Sequence, residues 1–213
     1  MYKWTKNDLR QSFVKTLKVN ITLNVQMIRA NDTFVCSPTD YGKMSTFVGL
    51  ECGDANNRWI YQIIDKQWDA LDEQVCLDKE DWVMVKNKQH NQDLRFLVIF
   101  KDKGLKTIRE LRREHVSLLQ DIQTDVTAYM QEHGYENFMM YFHYLPSVFQ
   151  LHLHVNAQNT VFNSKPNDRI QPLQSVVRNL QHNSEHYAHA LILTKHCKIR
   201  HRAEILEKRR TAI

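Results

Sequence analysis

The feature that most constrains the fold of this chain is a strict alternation of polar and apolar residues between positions 150 and 156. The polar residues of this segment are Gln150, His152, His154 and Asn156, and a leucine or valine separates each from the next. A period of two is typical of a strand, so the polar side chains share one face and the apolar ones face a core. Near neutral pH an imidazole can act as a nucleophile, a proton donor or a metal ligand. The segment therefore predicts a site for chemistry on a phosphate or at a metal.

Composition restricts the setting of that site. The chain has 213 residues with only 5 Gly and 4 Pro, enough for one sizeable domain and poorly suited to long linkers. The four cysteines show no Cys-x-x-Cys spacing and are expected to be free thiols in a reducing compartment. No apolar run is long enough for a membrane span and no signal peptide is evident, so we expect a cytoplasmic protein without a membrane partner. The basic run at residues 205–210 leaves a nuclear location open.

The charge of the chain favours anionic partners. The formal net charge is +5 and the sequence pI is near 9.0, which suits nucleotides or RNA. The basic residues cluster at residues 109–113 and 195–210. Solvated helix faces are the alternative interpretation of both clusters.

Periodicity and breaker residues predict an α+β domain with a mainly antiparallel sheet. Strands are predicted at residues 74–77, 82–85, 94–100, 138–145, 150–158 and 187–193. Helices are predicted at residues 59–68, 108–130 with a bend near 112–114, 170–180 and 203–210. Thr107 and Glu110 form a capping-box pattern before the longest helix, and Gly134 is expected to end it.

Several segments carry a resemblance to known proteins. Gln-Leu-His-Leu-His-Val at residues 150–155 resembles the histidine-triad motif, in which three His alternate with hydrophobic residues. The preceding His-Tyr-Leu-Pro-Ser at residues 143–147 and the segments 103–111, 114–119 and 179–187 are similar to the scavenger mRNA decapping enzyme family. The resemblance covers about residues 57–195.

The resemblance implies a histidine-triad (HIT) domain, with a sheet and a long helix, over residues 57–195. It also implies a reduced N-terminal element at residues 1–56, for dimerisation or cap contact, and leaves a basic C-terminal helix at 196–213. Members of this family hydrolyse the triphosphate bridge of cap dinucleotide or short capped RNA, releasing 7-methylguanosine monophosphate. They do so without a metal or cofactor, through a covalent phosphohistidine. A homodimer is expected, because histidine-triad proteins are usually dimers.

The family's catalytic residues can be placed on this sequence one at a time. His152 matches the central triad His and is the expected nucleophile, and His154 matches the last His, which should bond phosphate oxygens. Gln150 stands where the family has the first His. Its backbone carbonyl survives the substitution and can still fix the tautomer of His152. His143 and Ser147 match residues that line the phosphates.

The remaining substrate contacts are also implied by the resemblance. Arg169 matches a phosphate-contacting Arg, and Lys86 or Lys88 can supply a cation where the family has Pro-Asp-Leu-Lys-Trp. For the cap base, Trp59 matches a stacking Trp, and Asp69 stands where the family has a Glu that recognises the guanine edge. The apolar residue that covers the base in the family has no counterpart in this run.

Other interpretations remain open from the residues alone. A His-x-His pair on a strand is also a zinc signature, although no third ligand has recognisable spacing. Trp59 as a packing residue and Arg169 as an exposed helix-start residue are the alternatives to binding roles. A hydrolase of other dinucleoside polyphosphates would explain the altered base-covering run. A cap- or nucleotide-binding regulator with weakened catalysis would explain Gln150 and the basic tail.

Overall fold

The computed structural model describes residues 33–42, 58–68, 74–86, 95–157 and 169–195. The expected C-terminal helix and most of the expected N-terminal element lie outside the described residues. No helix in these ranges combines the length and apolar content needed to cross a bilayer.

Most described strands form one antiparallel sheet. The eight strands are β1 Thr33–Cys36, β2 Val75–Asp78, β3 Trp82–Lys86, β4 Arg95–Phe100, β5 Met139–His143, β6 His152–Asn156, β7 Ile170–Pro172 and β8 Ile192–Lys195. Six of them pair in the order β2-β3-β4-β6-β5-β7, and each neighbouring pair is antiparallel. The histidine strand β6 thus lies inside the sheet, between β4 and β5. The predicted α+β class and antiparallel sheet are confirmed.

The described part of the chain contains the helices α1 Arg58–Ile64, α2 Val116–Glu132, α3 Leu173–His182 and α4 His186–His189, and residues 38–42 are also helical. Helices α2 and α3 cover one face of the sheet, here called the helix face, which includes Phe96, Val98, Leu153 and Val155. On the opposite face, the apolar cluster comprises Ile60, Ile63, Val83, Val85, Leu97 and Ile99. This opposite face is called the histidine face, because His152 pairs with Ile99 and His154 pairs with Leu97 across the strands.

Two local sequence signals, one before the longest helix and one after it, form the contacts that their patterns predict. Thr107 and Glu110 form the capping box, with the Thr107 N–H donating to the Glu110 carboxylate at 2.6 Å. Gly134 has a φ of 76°, which favours glycine, and its N–H donates to the Gln131 carbonyl. The N–H of the next residue, Tyr135, donates to the Met130 carbonyl, so the helix ends in a Schellman motif.

The beginning of that helix differs from the prediction. Residues Ile108–Glu110 and Arg113–His115 form two 3₁₀ turns, and the α-helix itself begins at Val116. Leu111 and Arg112 between the turns are extended, so the predicted bend is a complete interruption. The capping box therefore starts a short turn rather than the long helix.

Two further element assignments were wrong. Residues Ile170–Pro172 pair with β5 as a strand, because the residue before a proline is biased toward extended backbone, and α3 begins only at Leu173. Residues predicted as a strand from 187 to 193 instead contain helix α4 and only the start of β8. The carbonyls of Tyr187 and Ala190 both accept hydrogen bonds from the Arg109 guanidinium.

Arg109 is the clearest departure from the expectation of solvated basic faces. Its side chain is only 3% exposed and donates to the Tyr144 hydroxyl at 2.6 Å and to the Cys36 carbonyl at 2.8 Å. Strand β1 pairs with β8, so Arg109 joins this two-stranded sheet to the larger one. Part of the expected N-terminal element is therefore packed against the main domain.

Candidate active site

Strand β6 presents its polar residues on the histidine face. His154 pairs with Leu97 on β4 and with Tyr141 on β5, and Asn156 pairs with Arg95 and Met139. The alternate residues Leu153 and Val155 belong to the core of the helix face. The predicted alternation of strand β6 is confirmed, and the neighbouring strands add further polar side chains to the same face.

The tautomer of His152 is fixed by its own strand. The Nδ1 atom of His152 lies 2.7 Å from the Gln150 carbonyl oxygen. A carbonyl can only accept, so Nδ1 carries the hydrogen, and in the neutral ring Nε2 keeps its lone pair. His152 is 8% exposed. The expected hydrogen bond is present, and it leaves Nε2 in the form that a nucleophile requires.

Gln150 is held in place by its side chain. Its Nε2 donates to the carbonyls of Phe100 and Asp102, both at 2.8 Å, and the residue has no exposed surface. Both carbonyls belong to the end of β4 and the following loop. The side-chain amide therefore positions the backbone carbonyl that orients His152. From the sequence, a role was predicted only for that carbonyl and not for the amide.

Three imidazoles and a phenol lie close together on the histidine face. The ring centroids of His143 and His154 are 4.2 Å apart, and those of His152 and His154 are 5.1 Å apart. Tyr141 stacks on His154 with centroids 5.3 Å apart and planes 9° from parallel. The histidine strand and the segment His143–Ser147, which the resemblance linked, are thus brought together by the β5–β6 pairing.

Burial keeps the three imidazoles neutral. It is the main cause that lowers the pKa of His143, to about 3, with contributions from Arg169, His152 and Arg95. Burial and the charge of Arg169 also lower the pKa of His152, against the opposing effect of the Gln150 hydrogen bond. The pKa of His154 is lowered by burial and then by the two other imidazoles and the arginines. A bound anion would favour the charged forms again.

Arg169 lies beside this cluster. It immediately precedes β7, whose residue Ile170 pairs with His143, and its carbonyl accepts a hydrogen bond from the Tyr144 N–H at 2.8 Å. Its guanidinium donates to the Leu145 carbonyl at 2.7 Å. Arg169 is half-buried at the start of a strand, so the alternative of an exposed helix-start residue is wrong.

The structure brings the other residues predicted for the site less close to the histidine cluster. Ser147 is exposed in the connection between β5 and β6. Trp59 lies on α1, partly buried against the apolar cluster of the histidine face, while its neighbours Ile60 and Ile63 fill that cluster. Lys86 pairs with Phe96, whose side chain belongs to the helix face.

The register therefore directs Lys86 away from the histidines, because directly paired residues share a face of the sheet. That placement contradicts a role for Lys86 in holding phosphate beside His152. Asp69 and Lys88 lie outside the described residues.

Two residues of the site were not anticipated. Arg95 shares the histidine face with Leu97, two positions along β4, and Tyr141 shares it with His143 on β5. Alternation within each strand could have placed them on one face. Their nearness to His154 depends on the pairing of β4, β6 and β5, which the sequence does not reveal.

Comparison with known proteins gives a consistent family. A family model described as "Scavenger mRNA decapping enzyme C-term binding" matches residues 58–168, just over half of the chain. The m7GpppX diphosphatase of Sus scrofa is 31% identical over 160 residues, covering 70% of this chain and 46% of that protein. The Homo sapiens protein of the same name is 28% identical over 153 residues, covering 67% and 45%. The chain spans about half the length of the curated relatives that it matches.

Solved structures give a weaker match. The crystal structure of the aprataxin ortholog Hnt3 from Schizosaccharomyces pombe aligns with a TM-score of 0.40 and 14% identity, over 69% of this chain and 89% of that one. A likeness of this size has no bearing on function, and the assignment rests on the sequence relatives.

Proposed function

Because this chain belongs to the scavenger mRNA decapping enzyme family, we propose that it hydrolyses the triphosphate bridge of cap dinucleotide or short capped RNA fragments. The observation that carries the proposal is His152, whose Nδ1 donates to the Gln150 carbonyl and whose Nε2 is thereby available. The product of this reaction is 7-methylguanosine monophosphate. The relatives named m7GpppX diphosphatase support the substrate class.

The reaction proceeds in two displacements. Nε2 of His152 attacks the phosphate nearest the methylated nucleoside, a P–N bond forms, and the bond to the bridging oxygen breaks. The remaining nucleoside leaves as its diphosphate. Water then attacks the same phosphorus, the P–N bond breaks, and His152 returns to its neutral form. Dividing the reaction in this way suits a nucleophile whose pKa is lowered by burial and by Arg169.

The neighbouring side chains stabilise the charge that develops on the phosphate oxygens. Arg169 supplies a guanidinium from the start of β7, and His154 and His143 supply ring N–H groups from β6 and β5. Donors that are already in position act most strongly where water is excluded. Ser147 adds a hydroxyl from the exposed connection, and Lys88 adds a cation.

The base is held separately from the phosphates. Trp59 stacks on the 7-methylguanine, which is cationic and therefore attracted to the face of an indole. Its position at the edge of the α1 cluster is compatible with this role, because the residue is only partly covered. Asp69 accepts hydrogen bonds from the guanine edge.

A less specific hydrolase is the second candidate. Lys86 lies on the helix face, so one of the two lysines expected near the base and phosphates does not support cap recognition. The phosphate-facing groups of β5 and β6 would serve other dinucleoside polyphosphates equally well.

The experiment that tests the proposal compares three substrates at equal concentration in EDTA: methylated cap dinucleotide, unmethylated cap dinucleotide and diadenosine tetraphosphate. Products are resolved by chromatography. We expect the methylated cap to have the highest kcat/KM and to yield 7-methylguanosine monophosphate. A preference for diadenosine tetraphosphate would select the second candidate. Tight binding of the cap without turnover would identify a regulator. Activity that appears only when zinc replaces EDTA in the assay would overturn the metal-free mechanism.

We also propose that the active form is a homodimer, as expected for histidine-triad proteins. Sedimentation at micromolar concentration tests this, and a mass of 25.4 kDa in solution would contradict it.

A further inference from the structure

Arg95 is a charged residue that the proposed reaction does not use. It is the first residue of β4, pairs with Asn156 on β6 and shares the histidine face with Leu97. Its Nε atom is buried and has no hydrogen-bond partner among the described residues. None of the ion pairs found in the described ranges includes Arg95. A buried guanidinium N–H without an acceptor is costly unless a ligand supplies one.

The Nε2 atom of His154 is a second buried nitrogen that lacks a hydrogen-bond partner in the described part of the chain. His154 lies diagonally across the β4–β6 pairing from Arg95, on the same face. Two adjacent side chains with unsatisfied buried nitrogen atoms indicate a place that an anion could occupy.

The position of Arg95 differs from that of Arg169. In the sheet order β4-β6-β5-β7, Arg95 lies on β4 and Arg169 precedes β7, so the histidines of β6 and β5 lie between them. Burial is the main cause of the lowered pKa of all three imidazoles, but the arginines contribute unequally. The charge of Arg95 acts on His143 and His154, whereas at His152 only Arg169 contributes. Arg95 is therefore associated with the His154 end of the site rather than with the nucleophile.

We infer that Arg95 and His154 form a second anion subsite, which holds the phosphates beyond the one that His152 attacks. This inference rests on the proposed function, because it assigns a place to the leaving diphosphate. The guanidinium would bind two oxygens of one phosphate, as its planar fork allows. The subsite makes the length of the phosphate chain a determinant of affinity.

Inorganic anions test the subsite without hydrolysis of a cap. Calorimetry on the full chain measures the Kd of triphosphate and of orthophosphate for wild type, Arg95→Gln and Arg95→Lys. We expect wild type to bind triphosphate more tightly than orthophosphate. In Arg95→Gln the Kd of triphosphate should rise about tenfold to a hundredfold, because a hydrogen bond to a charged group is lost, with little change for orthophosphate. Arg95→Lys should lose less, since it keeps the charge.

The matched control is Arg113→Gln, which removes the same side chain from an exposed position. Its triphosphate affinity should equal that of wild type. Wild-type affinity in Arg95→Gln, or an equal loss for both anions, would overturn the subsite. If Arg95→Gln does not fold, Arg95→Lys decides: an unchanged Kd for triphosphate would count against bidentate binding. Failure of the proposed function would look different, namely absent cap hydrolysis with this anion preference intact.

Discussion

The Gln150 carbonyl oxygen lies 2.7 Å from Nδ1 of His152, while the Gln150 side chain is bound to two carbonyls of the adjoining strand and loop. One residue thus connects the orientation of the expected nucleophile to the end of β4. A glutamine can donate two hydrogen bonds through one amide nitrogen, whereas a neutral histidine can donate only one. The substitution of the first triad His is therefore compatible with an ordered site.

Replacing that glutamine should affect both stability and turnover. In Gln150→Met the carbonyls of Phe100 and Asp102 lose their buried donor, and the free energy of unfolding should fall by about 2–4 kcal/mol. The kcat should fall while KM changes little, because the position of His152 is altered rather than the contacts of the substrate. Urea unfolding and steady-state kinetics measure these effects. Gln181→Met, at an exposed position of α3, is the control, and an equal loss of stability there would refute the assignment.

The three imidazoles, of which His152 is buried and His143 and His154 are partly buried, predict a dependence of stability on pH. The pKa values of His143, His152 and His154 are lowered in the folded protein, so their contribution to stability is fully present above the unfolded value of about 6.5 and is lost as pH falls below it. Each such histidine adds a slope of about 1.4 kcal/mol per pH unit. For His143 this window extends down to about pH 3. Urea unfolding between pH 7 and 5 should show a shallower slope for His143→Gln than for wild type, and equal slopes would contradict the lowered pKa.

The pH profile of the reaction should show the same effect at His152. Because burial and then Arg169 lower its pKa, the acid limb of kcat/KM should lie below pH 6.5. Arg169→Gln removes a nearby positive charge and should move that limb to higher pH, in addition to lowering the rate. Arg113→Gln leaves the cluster untouched and should leave the limb unchanged. A limb at the same pH in wild type and Arg169→Gln would show that the arginine does not act on the nucleophile.

Trp59 should determine the preference for the methylated base. Trp59→Leu keeps an apolar side chain against the α1 cluster but removes the aromatic face. We expect the KM of the methylated cap to rise about 3- to 30-fold relative to the unmethylated cap, which corresponds to a cation–π interaction. Steady-state kinetics on both dinucleotides measure the ratio. An equal change for the two substrates would assign Trp59 to packing alone.

Arg109 should be essential for the fold. Its guanidinium donates to Tyr144, Tyr187, Ala190 and Cys36, so Arg109→Met leaves several buried acceptors unsatisfied. We expect a loss of about 3–5 kcal/mol in the free energy of unfolding. Urea unfolding measures it, and Arg113→Met, at an exposed site, should cost much less. A loss below about 1 kcal/mol would mean that water replaces these bonds.

The sequence predicted those features that depend on neighbouring residues. Alternation placed His152 and His154 on one face of a strand. The Thr107–Glu110 pair marked the start of a 3₁₀ turn, and Gly134 marked the end of the longest helix. These signals act within a few residues, so they can be recognised from the sequence without knowledge of the fold.

Features that depend on distant pairing were not predictable. Lys86 lies on the helix face because its partner is Phe96, and Arg109 is buried because β1 and α4 supply acceptors more than 70 residues away in the sequence. Arg95 became part of the site only through the register of β4 with β6. In each case tertiary contacts decided the environment of the side chain, and only for Arg109 had the local pattern indicated a solvated cation.

The measurement that tests the central claim most directly is hydrolysis of 7-methylguanosine cap dinucleotide in EDTA by wild type and His152→Asn. In the same reactions, mass spectrometry after a rapid quench without acid would detect any covalent adduct on the protein. We predict turnover and a 7-methylguanosine monophosphate adduct on the peptide containing His152 in wild type, and neither in His152→Asn. Continued turnover by His152→Asn would contradict the assignment of His152 as the nucleophile.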